Sequence, residues 1–473
     1  MILKSVISLV ACCMFAFTPV AAQVGNDADA AVQNNMVTEE ALLGRWTGPL
    51  RVNAAVSLIL ALNVFKDNET GLSATLDSLD QNALGIVVDP FAMTDTKVTG
   101  LVPSIGASFE FELSNDALVG TFIQGSEFPL TLRKTDQVEE PQERPQEVAL
   151  VRDYIIEEVS FAGGALDVVL AGEFTKPRGE GPFPAVVLIT GSGAQDRNEA
   201  LLGHKPFLIL SDHLTNEGFA VLRFDDRGVA QSTGDFATAT TFDFADDAAA
   251  ALTYLKTRPD VDIDRLGYVG HSEGGLVAPL AHKTTAANFA VLLASPTESF
   301  AKTITRQTSD ILRMNGASES VIKARRQEQE ESFIILSGDG SLEEKETALR
   351  SFLAEKQIEQ SEIDRQVLSA VNSWFITALN YDPIPDLEAM DVPVFGVFAE
   401  TDLQVSAAAN APAMKASLTN PKSKVVTLEG LNHLFQPSES GAPSEYASIE
   451  ITWDPGALEI ISTWLKDVAG LEP

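Results

Sequence analysis

Five residues, Gly270-His271-Ser272-Glu273-Gly274, constrain this chain more than any other feature, because of what stands on either side of them. Arg265 to Val269 reads as a strand, and Leu276 to His282 reads as a helix. A serine at such a junction sits on a tight, strained turn, and the glycines beside it let strand and helix pack closely. Its hydroxyl then projects from the carboxyl end of a sheet, at a helix N-terminus, where developing negative charge is favoured. A chance glycine-rich turn is the bland alternative, and regular elements on both flanks speak against it. The motif demands a sheet with helices, and the chain around it supplies both. Ala185-Val186-Val187-Leu188-Ile189 is a continuous apolar run, as a parallel strand buried on both faces requires. Leu208 to Asn216 reads as a helix, Ala220 to Phe224 as a strand, Phe244 to Leu255 as an amphipathic helix, and Ala290 to Leu293 as a strand. This alternation predicts an α/β fold, a mostly parallel sheet flanked by helices.

The alternation stops at Phe300. From there to about residue 385 the pattern is helical, with solvated faces such as Ala324-Arg325-Arg326-Gln327-Glu328 and Glu343-Glu344-Lys345-Glu346. The stretch is too long for a bare crossover and predicts an inserted helical cap. Strand and helix resume at Pro393 to Phe398, continue at Lys424 to Leu428, and close with a helix from Ala457 to Val468.

Upstream, residues 38–135 have the short alternating runs of a small all-β domain, among them Val56 to Leu60 and Ser108 to Leu113. A sandwich or partial barrel fits them. Gly44-Arg45-Trp46 resembles the opening of small ligand-binding barrels, but a core tryptophan explains it as well. Residues 136–147, rich in Glu and Pro with almost nothing apolar, read as a linker. The catalytic domain is then 148–473, in keeping with a 473-residue chain too long for one ordinary core. Residues 1–22 read as a signal peptide: Lys4, an apolar run to Phe17, and small residues before Gln23. That predicts a secreted or periplasmic protein, with a lipoprotein anchor at Cys12 as the lesser alternative. The two cysteines, Cys12 and Cys13, both fall in that leader, so no mature disulfide or cysteine metal site is expected. A formal charge of −34 makes nucleic acid an unsuitable partner, and no later run suits stable membrane insertion.

A serine hydroxyl is a poor nucleophile without a base in reach. The chain has five histidines. His204 and His213 precede the serine, His271 adjoins it with its side chain pointing away, and His282 lies on the following helix. His433 alone stands on a loop after a late strand. Hydrolytic enzymes with such an elbow run in the order nucleophile, acid, base. The acid therefore falls between Ser272 and His433, where Asp402 ends a strand-to-loop segment. Glu400 is its rival, and Asp391 lies on the wrong side of the strand. An oxyanion hole needs two backbone N–H donors, one from Glu273 and one from Ser192, with Gly193 as alternate. Histidines are too scattered for a metal site, and no phosphate-loop or dinucleotide signature appears, so no cofactor is expected.

With these residues in view, the chain from about Asp153 onward resembles exported bacterial α/β-hydrolases of the serine-aminopeptidase-like group, including carboxylesterases with an N-terminal β domain. The resemblance rests on Gly191-Ser192-Gly193-Ala194-Gln195-Asp196-Arg197, Leu222-Arg223-Phe224-Asp225-Asp226-Arg227-Gly228 and Gly270 to Gly275. Trp374-Phe375 through Tyr381-Asp382-Pro383, Asp402-Leu403-Gln404-Val405 and Leu431 to Gln436 complete it. The family often has proline where this chain has Ala194. The resemblance implies a serine carboxylesterase acting on small-molecule, short-chain esters, with Ser272, Asp402 and His433 as nucleophile, acid and base. Two other classes fit the same residues less directly. A peptidase would show a pocket carboxylate for the substrate amine, and a non-enzymatic binding protein would have no need of the three catalytic groups.

Overall fold

The computed structural model describes residues 37–471 apart from 52–56, 68–70, 80–82, 95, 104–105, 115, 125, 136–143 and 149–151. The expected signal peptide, with Cys12 and Cys13, lies outside the described residues, as do 136–143 of the expected linker. The chain forms two compact units, the first within residues 37–143 and the second comprising Arg144–Ala200 and His204 onward.

In the first unit, alternating sequence becomes antiparallel strand. The strands are β1 (Gly44–Arg51), β2 (Ser57–Asp67), β3 (Gly71–Ser78), β4 (Ala83–Val88) and β5 (Phe91–Met93). They continue with β6 (Lys97–Val102), β7 (Ala107–Ser114), β8 (Ala117–Gln124) and β9 (Ser126–Thr135). The sheet order is β4-β3-β2-β1-β9-β8-β7-β6-β5, and β3 and β4 come back against β5 and β6, so the sheet curls like a barrel. Its inner face carries Trp46, Leu60, Leu62, Phe111 and Phe122, all buried. Trp46 is a core residue, and its indole N–H donates to the Leu42 carbonyl at 2.8 Å. That bond satisfies the one polar atom of an otherwise apolar side chain.

The second unit is an eight-stranded sheet: β10 (Ile155–Ala162), β11 (Val169–Lys176), β12 (Phe183–Ile189), β13 (Ala220–Phe224), β14 (Val261–His271), β15 (Phe289–Leu293), β16 (Val394–Ala399) and β17 (Lys424–Leu428). The order is β10-β11-β13-β12-β14-β15-β16-β17. From β13 to β17 all pairs are parallel, while β10 and β11 are antiparallel. These first two strands carry no unbroken apolar run. β10 alternates partly buried and exposed residues along most of its length, as an edge strand does, and so lacks the signature of its buried neighbours.

Period-two alternation sends Val187 and Ile189 to one face and Val186 and Leu188 to the other, and both faces are covered. Helices Thr241–Lys256, Gly274–Thr284 and Ala407–Ser417 lie on the first face, and Pro206–Asn216 and Pro455–Ala469 on the second. Leu188 is 1% exposed, so Leu188→Ala removes about 2–5 kcal/mol through lost transfer energy and a cavity.

The cap follows β15 as helices Phe300–Met314, Glu319–Ser337, Leu342–Glu355, Gln360–Ala370, Ser373–Leu379 and Ile384–Glu388. It has its own small core of Ile304, Phe333, Leu336, Leu349, Leu353 and Phe375. Arg144–Glu147, read from composition as linker, are tied to the second unit by side-chain bonds. Arg144 donates to the carbonyls of Ala447 and Ile449, and the Gln146 amide oxygen accepts from Thr452 and Trp453 N–H. Polar side chains can anchor a segment that has no apolar surface to bury. From β12 the chain steps to β13 on one side, then returns to β14 on the other. A crevice opens at the carboxyl ends where the strand order reverses.

Candidate active site

Every candidate residue sits just past a carboxyl end of this sheet. Ser272 follows β14 with φ of 52°, a left-handed conformation costing a non-glycine residue about 1–2 kcal/mol. Helix Gly274–Thr284 starts two residues later. The flanking glycines are steric necessities: a Cβ on Gly270 would lie 2.1 Å from the Gly274 carbonyl oxygen, and one on Gly274 2.2 Å from that of Ile189.

Asp402 follows β16, and its Oδ2 accepts from His433 Nδ1 at 2.7 Å. Its Oδ1 accepts from the N–H groups of Gln404 and Val405 at 2.7 and 2.9 Å, which fixes the carboxylate's orientation. Asp402 and His433 are both buried. Glu400 is exposed and takes the Gly430 N–H at 3.0 Å, so the carboxylate facing His433 is that of Asp402. His433 follows β17 on a loop built around Asn432, whose side-chain oxygen accepts from Leu434 and Gln436 N–H at 3.0 Å each. Phe435, with φ of 57°, stacks on Trp453 with centroids 5.2 Å apart.

The serine's neighbour His271, the last residue of β14, connects this segment to the His433 loop. The His271 ring reaches the His433 carbonyl oxygen at 3.0 Å from Nε2, and the two imidazoles lie 4.8 Å apart. Among the described residues no hydrogen bond joins Ser272 Oγ to His433, and the His433 Nε2 is unengaged. The N–H groups of Glu273 and Ser192 also have no partner among the described residues, so both are open donors beside the serine. Gly191 is close enough that a Cβ there would stand 3.2 Å from Ser272 Cβ.

The loop carrying Ser192 is held by carboxylates. Asp226 accepts from Thr190 Oγ1 at 2.8 Å and from Gln195 N–H at 2.9 Å, and Asp225 binds Arg197 through backbone and guanidinium. Burial pushes the Asp226 pKa well up. Glu199 accepts from Gly191 N–H at 2.7 Å and from His271 at 2.9 Å. The Glu273 carboxylate, buried, accepts from Thr241 Oγ1 at 2.6 Å and from the Trp374 indole N–H at 2.7 Å, tying the cap to the elbow. Burial raises its pKa despite those bonds and one from Ser192. Reasoning from sequence missed the roles of Glu199, Asp226 and Trp374. The runs Gly191–Arg197 and Leu222–Gly228 marked the loop and its anchor, without showing that they meet.

His204 and His213 lie away from the serine. His204 contacts Thr452 and the Tyr446 carbonyl, and His213 contacts Ser462. His282 accepts from the Ala287 N–H.

The sheet order and the strained serine between strand and helix define the class of fold, which is that of the α/β-hydrolases. Within it, the serine aminopeptidase (S33) family matches residues 207–341. Esterase EstD of Thermotoga maritima is 28% identical over 278 residues, 59% of this chain and 61% of that protein. The putative hydrolase YtaP of Bacillus subtilis is 35% identical over 123 residues, covering 22% of this chain and 41% of its own. The match thus spans about three fifths of the first relative and two fifths of the second. An esterase of Pyrococcus furiosus, Pf2001, aligns with a TM-score of 0.42 at 15% identity, over 66% of this chain and 91% of its own.

Proposed function

We propose that this protein hydrolyses carboxylic esters of short acyl chains through an acyl-enzyme on Ser272. The observation that carries the reading is the 2.7 Å Asp402–His433 contact on loops beside the elbow serine, with open N–H donors next to it. His433 takes the proton from Ser272, whose oxygen attacks the ester carbonyl. The N–H groups of Ser192 and Glu273 hold the oxyanion, and His433 returns the proton to the departing alcohol. Water, activated by the same imidazole, then attacks the acyl carbonyl and frees the serine. Asp402 accepts from Nδ1–H, which leaves Nε2 to act as base and stabilises the imidazolium that forms.

The peptidase alternative calls for a carboxylate to receive a substrate amine. Glu273 is a buried carboxylate next to the nucleophile, and its Oε1 is occupied by Thr241 and Trp374, which weighs against it as the receptor of a substrate amine. The test is turnover of p-nitrophenyl acetate against amino-acyl p-nitroanilides, with Ser272→Ala as control. Ser272→Ala is expected to reduce ester turnover at least ~10³-fold and to abolish fluorophosphonate labelling. A folded Ser272→Ala enzyme that keeps most of its activity refutes the assignment, and preference for the anilide refutes the substrate class. Export to the periplasm or medium is proposed from residues 1–22 and is checked by fractionation.

A further inference from the structure

Behind the elbow lies a buried pair that the proposed chemistry does not use. His271 and Glu199 are 5% and 4% exposed. The Nδ1 of His271 stands 2.9 Å from Glu199 Oε1, and its Nε2 stands 3.0 Å from the His433 carbonyl oxygen. A carboxylate and a carbonyl only accept, so satisfying both requires a proton on each ring nitrogen. Neutral imidazole carries one proton and would leave one of the two buried contacts as two facing acceptors, which is costly away from water. Glu199 Oε1 also takes the Gly191 N–H at 2.7 Å, and its Oε2 has no partner among the described residues.

We propose that His271 is a standing imidazolium, held charged by Glu199, and that this ion pair is a positioning group that joins the oxyanion loop at Gly191 to the base loop at His433. The inference rests on the ester-hydrolase reading for what the two loops do, but the charge state stands apart from it. The connected path runs from Gly191 N–H through Glu199 and the His271 ring to the His433 backbone. It crosses three loops that are far apart in sequence: after β12, at the end of β14 and after β17. The groups that face the ring are Glu199, Asp402 and the His433 imidazole, with Phe435 at its edge. Burial works against the charge, yet the Glu199 contact, helped by the His433 carbonyl and the nearby Asp402, raises the His271 pKa overall. The pair is buried, so it acts on geometry and does not touch substrate. Misplacing a donor by a fraction of an ångström weakens the transition state more than the ground state.

The experiment is ring-nitrogen NMR on the full chain labelled with ¹⁵N-histidine, assigned by His271→Gln, together with kinetics of Glu199→Gln. In the wild type at about pH 7.5, both His271 nitrogens are expected to be protonated. In Glu199→Gln the ring becomes a neutral tautomer, kcat for ester hydrolysis falls about 10-fold or more, and KM stays within about 2-fold. The alkaline limb of its kcat profile moves to lower pH, which a mere loss of packing would not produce. A neutral His271 in the wild-type spectrum overturns the proposal, as does a Glu199→Gln kcat within about 2-fold of wild type. Should Glu199→Gln fail to fold, the wild-type spectrum alone decides the charge state, and titration of kcat in the folded His271→Gln variant decides the positioning role. The spectrum needs no turnover, so a protonated His271 in a protein that hydrolyses no ester would indict the ester reading and leave the ion pair standing.

Discussion

Lowering the pH from 7.5 to 5 is expected to remove about 2 kcal/mol of stability through His204 alone. The His204 ring is wholly buried, with Nδ1 2.9 Å from Thr452 Oγ1 and Nε2 2.9 Å from the Tyr446 carbonyl oxygen. Burial, aided by the positive charge of Arg144, pushes its pKa down from 6.5 to about 4. The fold therefore prefers the neutral ring. Its stabilising effect is complete above the unfolded value and is lost as pH falls from about 6.5 toward about 4, because the unfolded chain takes the proton first. At pH 5 the unfolded ring is almost fully charged and the folded ring almost neutral. The ratio of their binding polynomials is about 30, or about 2 kcal/mol, rising to about 3 kcal/mol at pH 4. The assay is urea unfolding of wild type and His204→Gln at both pH values. Glutamine cannot titrate, and subtraction cancels the other acids, including Asp226 and Glu273. The stability advantage of wild type over His204→Gln should shrink by about 2 kcal/mol between pH 7.5 and 5. A difference that is the same at both values refutes the assignment of a buried neutral His204.

Asp402→Asn should lower ester kcat by up to about 10⁴-fold, whereas Glu400→Gln, on an exposed side chain bonded to Gly430, should stay within about 2-fold; a reversed order in steady-state kinetics would move the acid to Glu400. Gly274→Ala places a Cβ 2.2 Å from the backbone oxygen of Ile189, a contact that no rotamer can relieve, so a loss of more than about 3 kcal/mol or insoluble expression is expected. Trp374→Phe keeps an aromatic ring against Phe300 but removes the N–H that reaches Glu273, and should cost about 1–2 kcal/mol in denaturant unfolding. It should also alter the acyl-chain profile if the cap positions substrate through that bond.

Local patterns in the chain were sufficient to define several parts of this protein. The apolar run of β12, the glycines around Ser272 and the amphipathic helices are local patterns, and each reflects a backbone or burial requirement met within a few residues. Ser272, Asp402 and His433 could be named as candidates because each follows a recognisable strand, and strand order limits which loops can meet. Other features depend on contacts distant in sequence. β10 escapes notice because it lies at an open edge where burial is partial, and β11 because Gly172, Glu173 and Thr175 interrupt its apolar residues. Glu199, Asp226 and Trp374 look like ordinary loop or helix residues until the fold brings them 72, 36 and 101 positions away to His271, Thr190 and Glu273. Which of Asp402 and Glu400, two residues apart on one loop, meets His433 is likewise a matter of tertiary structure. Turning past β16 points one carboxylate inward to an imidazole at 2.7 Å and the other out to solvent. Periodicity records which way a side chain faces its own sheet, but hydrogen-bond partners are set only when separate loops converge on one crevice.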